Sequence, residues 1–142
     1  MIIRATSPAD LTAALTYIAP RVGETPESLV WTDPFVAFCA VRGGNLVGVV
    51  IYNSWRGRSI ETHWAGERGW LTRAHLREIF AYPFLELGCL RISGVIRRDN
   101  RTARAAAEKI GFKLEGVARK GYADGSDAML YGITNTDCRW LQ

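Results

Sequence analysis

Histidine and cysteine are scarce in this chain: 2 His and 3 Cys in 142 residues. With no CxxC pair and no His–Cys cluster, a metal centre of the usual ligand spacing is excluded, and no metal site is expected. Cys39, Cys89 and Cys138 are odd in number, far apart and set among apolar residues. They do not make a disulfide framework and suggest reduced thiols in a cytoplasmic protein. No apolar run reaches the length of about 18 residues that a membrane-spanning helix needs, so no membrane partner is expected. Met1-Ile2-Ile3-Arg4 leads straight into a helix start, without the basic and apolar regions of a signal peptide. Internal repeats, linkers and low-complexity segments are also missing. Residues 1–142 therefore read as one domain, long enough to bury a sizeable core. The 48% apolar and 23% charged content suits a globular protein.

Lysine is scarce too, because the basic residues are almost all arginine; the formal net charge is +4. Arginine binds phosphate and carboxylate bidentately, which leaves polyanionic partners open. The charge is spread, with only Arg97-Arg98 and Arg56-Gly57-Arg58 locally dense. That argues against a dedicated nucleic-acid binder, which concentrates its charge, and most of these arginines read as solvated surface.

Turn and periodicity signals give an order of elements. Ile2–Ala5 suits a strand. Ser7-Pro8-Ala9-Asp10 is a capped helix start, with Leu11, Leu15 and Ile18 at helical spacing and a stop expected at Pro20. A short helix is expected near Pro26–Trp31. Phe35–Val41 and Leu46–Tyr52 read as a hairpin about Arg42-Gly43-Gly44-Asn45. Ser59–Trp64 alternates as a strand, with Glu61 and His63 on one face. The spacing predicts a helix over Trp70–Leu87, loosened at Pro83. Cys89–Arg119 is the best-punctuated stretch. It holds a strand through Ile92 and Ile96, then Asp99 or Asn100 as a cap. A helix follows with a narrow stripe of Ala103, Ala106, Ala107 and Ile110, stopped by Gly111, and then a strand from Phe112. Met129–Thr134 reads as the last strand. The sum is an α/β fold with a mixed sheet.

The Cys89–Arg119 stretch resembles the GCN5-related N-acetyltransferases, and most closely their ribosomal-protein-acetylating branch. The family run is an Asn, a small residue three on, then E-K-x-G-F-x-x-E-G and an Arg. Here it is Asn100, Ala103, Glu108-Lys109-Ile110-Gly111-Phe112, Glu115-Gly116 and Arg119. The resemblance covers nearly the whole chain in element order, with its motifs in residues 60–134. It implies a mixed, mostly antiparallel central sheet flanked by helices, with acetyl-CoA as co-substrate and an amine of a peptide or small molecule as acceptor. It leaves a homodimer open.

Backbone N–H groups at a helix N-terminus can cradle phosphate, helped by the helix dipole. Gly66–Ala74 stands at such a place, between a strand and a helix. The resemblance assigns the pyrophosphate cradle to Arg68, Gly69, Trp70, Leu71, Thr72 and Arg73. It departs from the family at Gly66, which replaces a Gln or Arg. Leu71 stands where a small residue is usual, and Arg73 where an acid is usual. Leu71 would block the cradle unless its side chain turns into the core. The matching Asn100 and Ala103 would meet the pantetheine arm, although Asn100 can equally be only a helix cap. Arg101, Arg104 and Lys109 face either phosphate or water.

In the resembled family an amine attacks the thioester directly, after losing a proton to a carboxylate or a histidine. Glu61 and His63 are the candidates for that role; His75 falls in a helix and is expected to be exposed. The oxyanion would meet a backbone N–H near Trp64-Ala65, at the end of the central strand. A Tyr that many members use as general acid is Ala107 here, with Tyr122 and Tyr131 as the nearest substitutes. That gap also fits a CoA-binding or partner-binding protein without catalysis. Trp55, between Asn53 and Arg56, could line an acceptor groove, and Arg56 and Arg58 would suit an acidic acceptor.

Overall fold

The computed structural model describes residues 1–29 and 35–142. Its frame is a seven-stranded sheet in the order β1-β2-β3-β4-β5-β7-β6. The strands are β1 (Ile2–Arg4), β2 (Val36–Arg42), β3 (Asn45–Asn53), β4 (Ser59–Gly66), β5 (Arg91–Arg97), β6 (Lys113–Ala118) and β7 (Ala128–Thr134). The helices are α1 (Pro8–Val22), α2 (Pro26–Leu29), α3 (Arg73–Ala81) and α4 (Arg101–Ile110). Every neighbouring pair is antiparallel except β4 with β5. This is the mixed sheet expected from the order of elements, and the mostly antiparallel one that the resemblance implies.

Local chemistry accounts for most element ends. The Ser7 hydroxyl accepts the Asp10 N–H at 3.1 Å and opens α1. The expected stop at Pro20 is wrong. The helix runs on to Val22 and closes at Gly23, whose φ of 76° lets its N–H reach the Ala19 carbonyl. So close to the C-terminus, Pro20 removes one intrahelical donor without breaking the turn. The short helix expected near Pro26–Trp31 is α2; Trp31 lies outside the described residues. The helix predicted from Trp70 begins only at Arg73, because Thr72 caps it by accepting the His75 N–H at 3.1 Å. Pro83 has its predicted effect. Residues Tyr82–Glu86 form a π-helical turn in which the Leu87 N–H reaches the Tyr82 carbonyl at 3.0 Å. In α4 the Asn100 side chain accepts the Ala103 N–H at 3.2 Å. Ala103, Ala107 and Ile110 are half-buried as predicted, but Ala106 is exposed. No α4 residue is fully buried, so this helix lies lightly on the sheet.

The strand alternation builds a core on each face. On the α1 face, Ala14, Ile18 and Leu29 pack on Cys39, Val49 and Ile51. On the other face, Ile79 and Phe80 of α3 pack with Phe38, Val50, Tyr52, Ile60, Ile92, Tyr131 and Ile133. What positions the site is the one parallel seam. β4 and β5 pair only at Ser59↔Arg91, Ile60↔Ile92 and Glu61↔Ser93. Beyond that point β4 continues to Gly66 on β3, and β5 to Arg97 on β7. The strands part and leave a cleft. Because they run the same way, the helices that follow them, α3 and α4, start at the same end of the sheet, one on each side of the cleft. In open α/β sheets ligands bind in such a crevice at the carboxyl ends of the strands.

Candidate active site

The first side of the cleft is the loop from Gly66 to Arg73. Trp70 is buried, and its ring lies flat on Gly48 and Gly66, which face each other across β3 and β4. A Cβ at either glycine would fall inside the ring. The indole occupies the space that a side chain at residue 66 would need, so glycine is required there. Two of the loop's N–H groups are used internally, Glu67 to Val47 at 2.8 Å and Trp70 to Glu67 at 3.2 Å. The backbone N–H groups of Arg68, Gly69, Leu71, Thr72 and Arg73 have no partner among the described residues and are left for an anion. Trp70, expected among the cofactor contacts, has its ring packed on the two glycines and its backbone N–H on the Glu67 carbonyl. Leu71 packs against the core on the α3 face, so its side chain does not fill the cradle. Gly69 has a φ of 76° and open space beside it, and Arg42 holds its carbonyl at 3.2 Å. Arg68 and Arg73 are exposed, and the Arg73 guanidinium lies over the Trp140 ring at 5.9 Å. His75, expected to be exposed, is half-buried, and its Nδ1–H donates to the Trp70 carbonyl at 3.1 Å.

The second side is the start of α4. Asn100 caps the helix with its oxygen and is exposed, so its amide N–H groups face outward. Ala103 follows on the half-buried side. Arg104 is tied inward: Nε donates to the Tyr131 hydroxyl at 3.1 Å and one guanidinium nitrogen to the Arg98 carbonyl at 3.0 Å. Its part is to brace α4 on β7, with one side of the fork left for phosphate. Tyr131 is buried, and its hydroxyl is shared with Glu108 at 3.4 Å.

Between the two sides runs the end of β4. Side chains alternate, so Trp64 points to the α3 face, where its ring packs on Trp70, Phe80 and Phe112. Its Nε1–H donates to the Thr62 hydroxyl at 2.6 Å, and that hydroxyl donates to the Ile51 carbonyl at 3.0 Å. The cleft edge of β4 at Trp64 and Ala65 has no strand partner on the β5 side. Glu61 and His63 point to the α1 face. Burial pushes the His63 imidazole below its ordinary value, and the Glu24 and Glu61 carboxylates partly offset this. His63 is thus neutral near pH 7 and able to take a proton. Burial raises the Tyr122 hydroxyl, Arg97 lowers it, and Glu24 raises it again. Tyr122 therefore stays protonated. Arg97 fixes this corner, donating to Asp124 at 2.5 Å and to the Ser126 hydroxyl at 2.7 Å, with its guanidinium over the Tyr122 ring at 4.9 Å.

Glu24, Arg42 and Asn53 join the site without any motif to announce them. Glu24 follows α1, where the Ser28 hydroxyl holds its Oε2 at 2.7 Å. Trp55, suggested to line an acceptor groove, is 48% exposed, with its indole N–H already engaged. Trp55 Nε1–H donates to the Gly57 carbonyl at 2.9 Å, and Arg58 donates to the Gly88 carbonyl at 2.9 Å. Among the described residues no cluster of His, Cys, Asp and Glu could hold a metal. Cys39, Cys89 and Cys138 are free and buried. No helix among the described residues is long and apolar enough to cross a membrane.

The architecture is that of the GCN5-related N-acetyltransferases. Spermidine N-acetyltransferase from Vibrio cholerae, solved with CoA and spermine, superposes with a TM-score of 0.74 at 17% identity, over 99% of this chain and 98% of that one. RimJ from Mycobacterium smegmatis, solved with CoA-disulfide, superposes with a TM-score of 0.59 at 22% identity, over 72% of this chain and 54% of that one. No family model matches the sequence, and no curated protein does. The likeness lies in the fold.

Proposed function

We propose that residues 1–142 form one acetyl-CoA-dependent N-acyltransferase domain that passes an acetyl group to an amine by direct attack within a ternary complex. The observation that carries this is the parted β4/β5 seam, with a helix N-terminus on each side and a neutral histidine on the strand between them. The free N–H groups of Gly69, Leu71 and Arg73, with Arg68 and Arg73, would hold the pyrophosphate of acetyl-CoA. Asn100 and Ala103 would face the pantetheine arm. His63 takes the proton of the acceptor ammonium. The amine nitrogen then bonds to the thioester carbon, loses its surplus proton to solvent as the C–S bond breaks, and the departing CoA thiolate takes a proton from solvent. The backbone at Trp64 and Ala65 meets the oxyanion. The bound CoA and the acetyltransferase names of the superposed structures support this reading. The peptide-acetylating branch is supported only by the Asn100–Arg119 run.

Calorimetry with acetyl-CoA, followed by CoA release across a panel of amines, tests the proposal. Binding and turnover are expected, with turnover lost in His63→Ala. No binding at millimolar acetyl-CoA would refute it. Ala107 favours a second reading, a CoA-binding protein without catalysis; binding without turnover on any amine would establish that one.

A further inference from the structure

Asn53, Glu61 and His63 form a polar strip on the α1 face of the sheet. Asn53 and Glu61 are cross-strand partners, and His63 follows two residues along β4. Asn53 is only 5% exposed, and its Nδ2 donates to the Leu29 carbonyl at 2.7 Å. That bond fixes the amide and turns Oδ1 away from α2. Oδ1 is buried with no partner. The Glu61 carboxylate beside it likewise has no hydrogen bond or ion pair among the described residues. Two acceptors side by side with no donor between them are unfavourable, and an orphaned buried acceptor typically costs about 1–3 kcal/mol. The pair lacks a group that is positively charged and rich in N–H. A second carboxylate, Glu24, faces the same strip from the end of α1, close enough to act on His63.

We infer that this strip is a subsite for an aliphatic diammonium acceptor, with the reacting nitrogen at His63 and the remote ammonium between Glu61 and Asn53 Oδ1. The role as acceptor rests on the acyltransferase reading. Residues two apart on one face of a strand are separated by roughly 6.8 Å, which a short linear diamine spans. An acceptor with a carboxylate next to its amine would meet Glu24 and Glu61 and be repelled. This reverses the acidic acceptor suggested by Arg56 and Arg58. Asn53 is a positioning residue here, and Glu61 supplies the charge.

The probes are 1,4-diaminobutane, butylamine, and a neutral peptide with a free N-terminal alanine. Binding of each to the protein alone is measured by calorimetry, and kcat/KM with acetyl-CoA separately. The diamine is expected to bind at least about 10-fold more tightly than butylamine and to exceed both other probes in kcat/KM. Glu61→Gln should abolish the diamine preference while leaving acetyl-CoA affinity unchanged. Asn53→Ala should weaken diamine binding several-fold; if it unfolds, Glu61→Gln alone decides. Equal binding of diamine and butylamine, or a preference that survives Glu61→Gln, overturns the subsite. Failure to bind acetyl-CoA overturns the enzyme reading instead, while diamine binding to the protein alone still reports on the strip.

Discussion

Adding one methyl group at Gly66 should cost this protein more than most single substitutions on a strand, and the structure says how much. Gly66 and Gly48 are paired across β3 and β4, and the Trp70 indole rests on both. The Gly66→Ala methyl would enter the ring. Overpacking of this kind costs about 1–3 kcal/mol, or roughly 4–12 °C in Tm at about 4 °C per kcal/mol for a chain of this size. Removing the ring outright, in Trp70→Ala, should cost about 3–5 kcal/mol. In that background Gly66→Ala meets empty space. It should then be neutral or stabilise by up to about 1 kcal/mol, because alanine suits a strand better than glycine. Urea denaturation of the wild type, both single variants and the double variant closes the cycle. The expected coupling is about 1–4 kcal/mol, the double variant being no less stable than Trp70→Ala alone. Additivity within about 0.5 kcal/mol would refute the claim that the indole fixes the identity of Gly66. Acetyl-CoA affinity should fall with Gly66→Ala, since Trp70 anchors the loop that carries the free N–H groups.

The His63 imidazole is held below 6.5 by burial. In kcat/KM against pH, the acidic limb should fall below pH 6.5, and it should vanish with the residual activity of His63→Gln. The same shift acts on stability. The unfolded chain binds the His63 proton more readily, so stability is full above pH 6.5 and is lost as pH falls through the lower folded value. Chemical denaturation of His63→Gln should show a flatter dependence in that window. Asn100→Ala removes the α4 cap and should destabilise by about 0.5–2 kcal/mol, read by urea denaturation. Asn100→Ser should recover most of this loss; only if Asn100 also meets acetyl-CoA will Asn100→Ser still bind it more weakly by calorimetry. Arg104→Gln strips a donor from the buried Tyr131 hydroxyl and should destabilise by about 1–3 kcal/mol. A variant as stable as the wild type would show that Arg104 does not brace α4.

What could be read in advance was local. The Ser7 and Asn100 caps, the Gly43-Gly44 turn and the Pro83 distortion each follow from a few adjacent residues. The face shared by Glu61 and His63 follows from strand alternation. Pro20 misled because a proline's effect depends on how near the helix end lies, and Gly23 three residues on sets that end. The packing role of Trp70 was hidden in another way. Its partners Gly48 and Gly66 are set by strand register, and register between β3 and β4 is a tertiary fact. The bracing role of Arg104 was hidden because its partners, Tyr131 and Arg98, come together only when β7 pairs with β5. Glu24 and Asn53 belong to no motif at all. They matter through the unpaired acceptors beside them, which no spacing in a single sequence encodes.

The brief parallel seam also bears on how the molecule comes apart. Three residue pairs join β1–β4 to β5–β7–β6, while each half is laced internally by antiparallel ladders. A sheet so joined has a perforation line. Amide hydrogen exchange should be quicker at the cleft-facing N–H groups of residues 62–66 of β4 than in the Val49–Ile51 ladder. Gly88, with a φ of 70°, stands at the crossing between the halves. A chain cut there would yield two pieces that each keep a hydrogen-bonded set of strands and meet again along the same line. Filling the cleft would then do for the halves what a staple does for two sheets of paper.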